Sequence, residues 1–363
     1  MRTVVLSRQG AKQQGRHGLW RLRSWAMDRA HADKARRVAA YKRDMAQARR
    51  RYAVLRRQVA ARLEAGFVTP YDPDMQLALV RQTGRKIGVV ILGAHYAWER
   101  ALESDSPVWK FLPEVVRLTI IDSNPGAALA RHAEAGLVSL VIPLLEGHIR
   151  FCDASHPGFF PNPAAMEILA DKLLFSRYME ESAPDHAPVS YTDPGAVSYP
   201  CVVKCNRQSA GKGTEIVHNA EELDDFMTDR RWRPSPKLLQ GLIPGQREWV
   251  THAICRPGEV LWYASYEYEL PAEEMVRRPD QGGWITCRET PPEVLAFMRK
   301  LSADLGYEGP LNMDFKLLNG RLYVFEVNPR FGGSLMLPQH VMVLAEALRC
   351  LIAQSVARYR LFG

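Results

Sequence analysis

Apolar positions along this chain change their period several times, and each change marks a different kind of element. From Trp20 to Glu64 there is no proline and no glycine. Within that stretch Val38, Tyr41, Met45, Ala48, Tyr52, Leu55 and Val59 recur at alternating spacings of three and four, which predicts one long helix or two with a stripe as narrow as a coiled-coil seam. The polar residues 1 to about 17 are expected to be disordered. Three later runs are continuously apolar: KIGVVILG at Lys86–Gly93, RLTIID at Arg117–Asp122 and VSLVIPL at Val138–Leu144. Such runs suit parallel strands buried on both faces. Helical stretches at Tyr96–Glu103 and Gly126–Ala135 between them predict a small doubly wound sheet. It carries no GxGxxG, so a dinucleotide is not indicated.

One helix is expected over Asn162–Glu181, followed by a proline-rich connection to Tyr199. Strands are then predicted at Tyr199–Lys204, Thr214–Val217, Lys237–Ile243, Arg247–Ala253 and Val260–Leu270, with an acidic helix at Ala220–Met227. Their alternation and aromatic content describe an antiparallel sheet. After Pro291-Pro292 a helix runs to about Leu305, and a last helix covers about Gln339–Ala357.

Between those two helices, Gly309–Ser334 reads GPLNMDFKLLNGRLYVFEVNPRFGGS. Both arms are rich in strand formers, and Asn319-Gly320 is a hairpin turn signal. Residues two apart on a strand share a face, so Asp314 goes with Lys316 and Glu326 with Asn328. A two-residue turn would send Asp314 and Glu326 to opposite faces. A three-residue loop, Leu318–Gly320, with glycine in the left-handed position and a bulge after it, puts Asp314, Glu326 and Asn328 on one face, and this second arrangement is the expected one. Such oxygen ligands suit a hard cation such as magnesium, which keeps positions for water and substrate phosphates. The bland alternative is an edge hairpin with solvated charges.

Composition narrows the class. A chain of 363 residues with 47% hydrophobic content implies a globular protein of two or three domains. No apolar run approaches the ~20 residues of a membrane span, and the N-terminus lacks the apolar core of a secretory signal. Six cysteines without a CxxC pair or zinc spacing point to a reduced, cytoplasmic setting and no membrane association. Residues 1–63 carry 18 Lys and Arg against Asp28, Asp33 and Asp44, so the rest of the chain is net acidic despite an overall charge of +8. Three readings of this basic arm stay open: packing on the body or on a second copy as a homodimer, contact with nucleic acid or an acidic carrier protein, and an Arg-rich transit peptide.

Lys204 ends a strand and projects away from Cys201, Val203 and Cys205, as a phosphate-binding point charge would. The loop after it, with Gly211, Lys212 and Gly213, can wrap phosphates through backbone N–H groups. It is not a Walker A loop, because Asn206 replaces the first glycine and Gly213 the Ser or Thr. Arg277, Arg278 and Arg288 fit either a substrate carboxylate or a solvated loop.

Taken in order, DK at Asp171-Lys172, YPCVVK at Tyr199–Lys204, SAGKG at Ser209–Gly213, QGLIPGQREW at Gln240–Trp249, and NMDFK with FEVNPRFGGS across Asn312–Ser334 resemble the ATP-grasp superfamily of the carboxylate-amine ligase type. The resemblance covers about Lys86 to the C-terminus. It implies an α/β (α+β) ATP-grasp fold with a Rossmann-like N-terminal (pre-ATP-grasp) domain, preceded by the basic helical arm. The expected organisation is an arm over 1–80, the pre-ATP-grasp domain over 81–160 and the ATP-grasp domain over 161–363, with a lid at about 199–270.

By the same resemblance, Lys172 and Lys204 hold the ATP phosphates, and Ser209, Gly211, Lys212 and Gly213 belong to the lid over them. Gln240, Leu242 and Ile243 belong to the linker that meets adenine, and Glu248 binds ribose. Asp314, Glu326 and Asn328 hold one or two Mg2+ ions, or Mn2+ in their place, and Arg330 lies near the transferred phosphate and acyl group, with Lys204 also catalytic. One departure is Gly241, where a hinge glutamate is common. The implied reaction joins a small carboxylic acid to an amine through an acylphosphate, releasing ADP and phosphate. Two alternatives stand beside it: a bicarbonate-activating or carbamoyl-type enzyme, and an ATP-binding module tethered through the arm.

Overall fold

The computed structural model describes residues 32, 34–47, 49–54 and 57 of the arm, residues 86–152 apart from 94–95, 113–114 and 122–125, and residues 156–359 apart from 157, 207–212, 233, 273 and 278–283. Ser209, Gly211, Lys212 and Arg278 lie outside the described residues, as do residues 1–31 and the stripe positions Ala48, Leu55 and Val59.

The three apolar runs form a parallel sheet, the arrangement that continuously apolar strands favour. Strands β1 (Ile87–Leu92), β2 (Val115–Ile121) and β3 (Val138–Pro143) lie in the order β2-β1-β3. Helices α1 (Tyr96–Leu102) and α2 (Gly126–Glu134) connect them. A single helical turn, Glu146–Ile149, follows β3.

The helix expected over Asn162–Glu181 is two helices, α3 (Pro163–Leu169) and α4 (Lys172–Ser182). The break is local chemistry. The Asp171 carboxylate accepts from Leu173 N and Leu174 N at 3.1 and 3.2 Å, which makes Asp171 an N-cap and starts a new helix at Lys172.

Two antiparallel sheets follow. The first has four strands, β4 (Ser190–Tyr191), β5 (Cys201–Cys205), β6 (Thr214–Val217) and β7 (Lys237–Gly241), in the order β4-β7-β5-β6, with α5 (Ala220–Thr228) after β6. The second has five: β8 (Arg247–Arg256), β9 (Glu259–Glu269), β10 (Trp284–Arg288), β11 (Gly309–Leu318) and β12 (Arg321–Asn328), in the order β10-β9-β8-β11-β12. Helix α6 (Pro292–Asp304) precedes β11, and α7 (Val341–Tyr359) follows the hairpin. Strands β4 and β10 escape the sequence reading. Each lies at a sheet edge with one partner, where the local pattern is short and the pairing is what defines it.

The hairpin corrects the expected register while keeping its outcome. Leu318 pairs with Arg321, so the loop is the two-residue Asn319-Gly320 turn, with φ of 53° and 77°. Parity is restored inside the strand: Phe315 faces Val324 but Asp314 faces Glu326, leaving Phe325 as the extra residue of a bulge. Asn312 then faces Asn328.

Arm and body share a core. Tyr41, Met45 and Tyr52 are buried in one apolar cluster with Leu173, Val203, Leu239 and Phe315. The Tyr41 hydroxyl donates to the Tyr191 carbonyl, Lys42 pairs with Asp193 at 2.9 Å, and Arg37 pairs with Asp224. The stripe therefore packs on the chain's own body at Tyr41, Met45 and Tyr52. A second cluster joins Val89 and Ile91 of the parallel sheet to Ile254 of β8 and to Leu344, Leu348 and Leu351 of α7. The shared packing sets the end of β3 beside the five-stranded sheet.

Candidate active site

The two antiparallel sheets, with Trp98 and residues 145–148 after β3, enclose a cleft of about 800 Å³. Its walls include Lys172, Lys204, Gln240, Leu242, Ile243 and Glu248, and also Asp314, Glu326, Asn328 and Arg330. Among the described candidates for binding ATP or metal only Gly213 is absent from this lining. It closes the loop back onto β5, its carbonyl accepting from Cys205 N at 2.7 Å.

Strand alternation on β5 buries Cys201, Val203 and Cys205 in the core and turns Lys204 into the cleft. Lys204 Nζ donates to Gln240 Oε1 at 2.9 Å and lies 5.4 Å from the Phe325 ring centroid. Burial pushes its pKa down to about 8, against the attraction of Glu326 and with the help of Lys172. Lys172 is fixed by its place at the first turn of α4: its N–H donates to Asn206 Oδ1 at 2.9 Å, and its Nζ lies 3.4 Å from Glu326 Oε2. Burial acts to raise the Glu326 pKa, but Lys172, Lys204 and Arg330 outweigh it and hold the carboxyl below its ordinary range.

The bulge at Phe325 brings the oxygen donors together, because directly opposed residues of an antiparallel pair have adjacent side chains. Asp314 and Glu326 are one such pair, Asn312 and Asn328 the next. Asn312 Nδ2 donates to Asp314 Oδ2 at 3.3 Å, and Asn312 Oδ1 is buried with no hydrogen-bond partner among the described residues. Two carboxylates, an amide and a spare buried amide oxygen fit a hard divalent cation. No group of three or more His, Cys, Asp or Glu suited to a metal occurs among the described residues, so any such site depends on the amides.

Three further residues organise the site: Lys316 and His252, to which the sequence assigns no role, and Arg277, which there fits a substrate carboxylate or a solvated loop. Lys316, on the Asp314 face, is buried and donates to the carbonyls of Ile243, Gly245 and Met275 at 3.0, 2.7 and 2.6 Å. It ties the β7–β8 linker to the segment after β9. Arg277 sits within the cleft, 2.9 Å from Asp314 Oδ1 and 3.5 Å from Glu248 Oε1, over the Tyr268 ring at 4.4 Å. Burial raises the pKa of both Glu248 and Asp314, and Arg277 opposes that rise in each. His252 Nδ1 accepts from Gly332 N at 3.2 Å, so its other nitrogen carries the proton and donates to Ser334 Oγ at 2.7 Å. Burial pushes its pKa down to about 3, which keeps it neutral.

Residues 169–334 match the sequence profile of the ATP-grasp domain. D-alanine–D-alanine ligase from Bacillus anthracis is similar over 77% of this chain and 100% of its own, with a TM-score of 0.51 at 17% identity. Phosphoribosylamine–glycine ligase from Thermotoga maritima is similar over 68% of this chain and 70% of its own, with a TM-score of 0.52 at 16% identity. The chain carries an ATP-grasp domain. Among curated proteins, the large chain of carbamoyl phosphate synthase from Methanoculleus marisnigri is 27% identical over 214 residues, covering 53% of this chain and 19% of the relative. The matched stretch thus spans about a fifth of that relative's length.

At the far end of the cleft the ATP-grasp domain meets the parallel sheet. Arg330 Nε lies 2.8 Å from Glu146 Oε1, a close charge contact without the alignment of a hydrogen bond. Its guanidinium is 5.2 Å from the Trp98 ring centroid. Glu146 follows β3 and Trp98 belongs to α1, so both approach from outside the ATP-grasp domain. Gly332 faces the same end, and a Cβ there would come within 2.6 Å of Asn312 Oδ1 and 2.8 Å of His252 Cε1. Only glycine leaves room for that close packing. No local signal in the sequence marks Glu146, Trp98 or His252, because each is defined by partners from distant segments. Arg288, the third arginine weighed from the sequence, pairs with Glu267 at 3.1 Å and does not line this cleft.

Proposed function

We propose that this protein is an ATP-dependent ligase that joins a carboxylic acid to an amine. The observation that carries the reading is the convergence, in one cleft, of Lys172, Lys204, the Asp314–Glu326–Asn328 oxygens and Arg330. Two half-buried cations beside a set of oxygen ligands suit a nucleotide triphosphate and its counter-ion. The reading also draws support from the solved ATP-grasp neighbours, whose names describe ligases.

In this reading a carboxylate oxygen attacks the γ-phosphorus of ATP, and the bond to the β,γ-bridging oxygen breaks to release ADP. The amine then attacks the acyl carbon of the acylphosphate, inorganic phosphate departs, and the nitrogen loses its proton to give an amide. Such a transfer demands positioning and offset of phosphoryl charge. Lys172 and Lys204 supply fixed positive charge at the phosphates. The linker Gln240–Ile243, pinned from below by Lys316, supplies the wall for the adenine, and Glu248 the acceptor for the ribose. Arg330 presents its guanidinium to the acyl end, and the His252 latch on Gly332 and Ser334 holds that loop in place. A divalent cation held by Asp314, Glu326 and Asn328 would neutralise the charge on the phosphoryl oxygens.

The test is phosphate release from ATP and Mg2+ over a panel of amino acids and small carboxylates, with product masses. An Asp314→Asn chain is expected to lose at least about 100-fold in turnover, the size of loss seen when a main electrostatic contact is removed. Unchanged turnover in Asp314→Asn would overturn the mechanism. A second reading, activation of bicarbonate, is favoured by the carbamoyl phosphate synthase relatives. Its mark is ATP turnover that depends on bicarbonate and needs no amine.

A further inference from the structure

Arg277 stands apart from the residues that the nucleotide reading absorbs. It follows β9, in the segment 274–277 that has no regular structure. Its guanidinium makes a 2.9 Å hydrogen bond with Asp314 Oδ1 and lies 3.5 Å from Glu248 Oε1. Asn312 takes the other Asp314 oxygen. Both oxygens of the carboxylate that heads the candidate metal set are therefore engaged by donors from this chain.

A carboxylate this deeply placed needs a positive partner, since an uncompensated buried charge is strongly destabilising. A guanidinium and a divalent ion can each meet that need. They do so poorly together, because like charges sharing one carboxylate in a low-dielectric cleft repel strongly. The guanidinium is also the partner built to leave. Its side chain is 31% exposed, against 8% for Glu248 and 14% for Asp314. The backbone behind it stays put, held by Lys316 at the Met275 carbonyl and by the Arg277 N–H on Glu248 Oε2 at 3.3 Å. Glu248 thus keeps a hydrogen bond when the side chain swings away.

We propose that Arg277 is a built-in competitor of the divalent cation at Asp314, so that loading of metal and nucleotide is coupled to withdrawal of the Arg277 side chain from between Asp314 and Glu248. This rests on the metal set assigned under the proposed function. It predicts a direction: removing a cationic residue from the cleft tightens the binding of a cation.

The measurement is a Mn2+ titration of the intact chain with the non-hydrolysable ATP analogue adenylyl imidodiphosphate, following free Mn2+ by electron paramagnetic resonance. Arg277→Gln is expected to bind Mn2+ about tenfold more tightly than wild type, a coupling of ordinary size between two ligands of one site. Arg277→Lys, which keeps the charge, should stay within about twofold of wild type. Equal or weaker binding by Arg277→Gln overturns the proposal, and so does equal tightening by Arg277→Lys. Asp314→Asn is the separate control. If it binds Mn2+ as wild type does, the metal set itself is wrong and both readings fall. If it loses Mn2+ while Arg277→Gln gains nothing, only the competition is refuted.

Discussion

Lys204 is the residue whose chemistry its surroundings change most usefully. An ammonium pushed down to about 8 is charged at neutral pH and loses its proton well before an ordinary lysine does. Its charge favours phosphate binding, so affinity for an ATP analogue should be full below pH 8. It should weaken as pH rises from about 8 toward the higher pKa of the phosphate-bound state, by at most roughly tenfold per unit. Folding responds with the opposite sign. The folded chain gives up this proton before the unfolded chain does, so the cost of burying the charge applies below pH 8 and is relieved between about 8 and the ordinary lysine value. Calorimetric titration of the analogue from pH 6.5 to 9.5 checks the first effect, with Lys204→Arg as a fixed-charge reference that should be flat over the same range. A flat wild-type profile would contradict the assignment of Lys204 to the phosphates.

The decisive element is the β11–β12 hairpin, in which two devices divide the work. The Asn319-Gly320 turn reverses the chain, and Gly320 at φ 77° sits where a side chain is strained. The bulge at Phe325 decides which face Glu326 and Asn328 share with Asp314. The two should be separable. Gly320→Ala is expected to cost about 1 kcal/mol of stability, as left-handed strain does, and to leave Mn2+ binding within about twofold. Deleting Phe325 should remove Mn2+ binding altogether in chains that retain a cooperative melt, because Glu326 and Asn328 turn to the opposite face. Paired thermal melts and Mn2+ titrations measure both. Strong Mn2+ binding after the deletion would count against the register as the source of the site.

Across the whole molecule, the basic arm is a structural part of the body at its described positions. Tyr52 is 3% exposed within the main core, which also holds Leu173 and Leu174 of the helix that begins at Lys172. Arg51 adds a polar tie, reaching Glu167 and lying 3.0 Å from Asp171, the N-cap of that helix. Tyr52→Ala is expected to cost about 3 kcal/mol, in the range for truncating a buried aromatic ring. Lys42→Ala, which breaks a pair about half exposed on both sides, should cost under about 1 kcal/mol. Urea unfolding of the two variants makes the comparison. Equal, small losses would mean that the arm does not share the core.

By itself the sequence determined the local grammar of this protein. Period-two alternation put Lys204 opposite Cys201, Val203 and Cys205, apolar runs named the parallel strands, and the order of the lysine, glycine and carboxylate motifs carried the resemblance to ATP-grasp proteins. Such signals survive without tertiary context because they arise between residues a few positions apart. What the tertiary structure decided was every feature that needs a distant partner. Even parity between Asp314 and Glu326 can be obtained at the turn or within the strand, and the chain placed it at Phe325 through pairing across the sheet. The same holds for Lys316 beneath the linker, Glu146 and Trp98 beside Arg330, and Arg277 between Glu248 and Asp314. Each charge or ring found its role only when strands far apart in sequence closed one cleft, where a charge without a partner is costly.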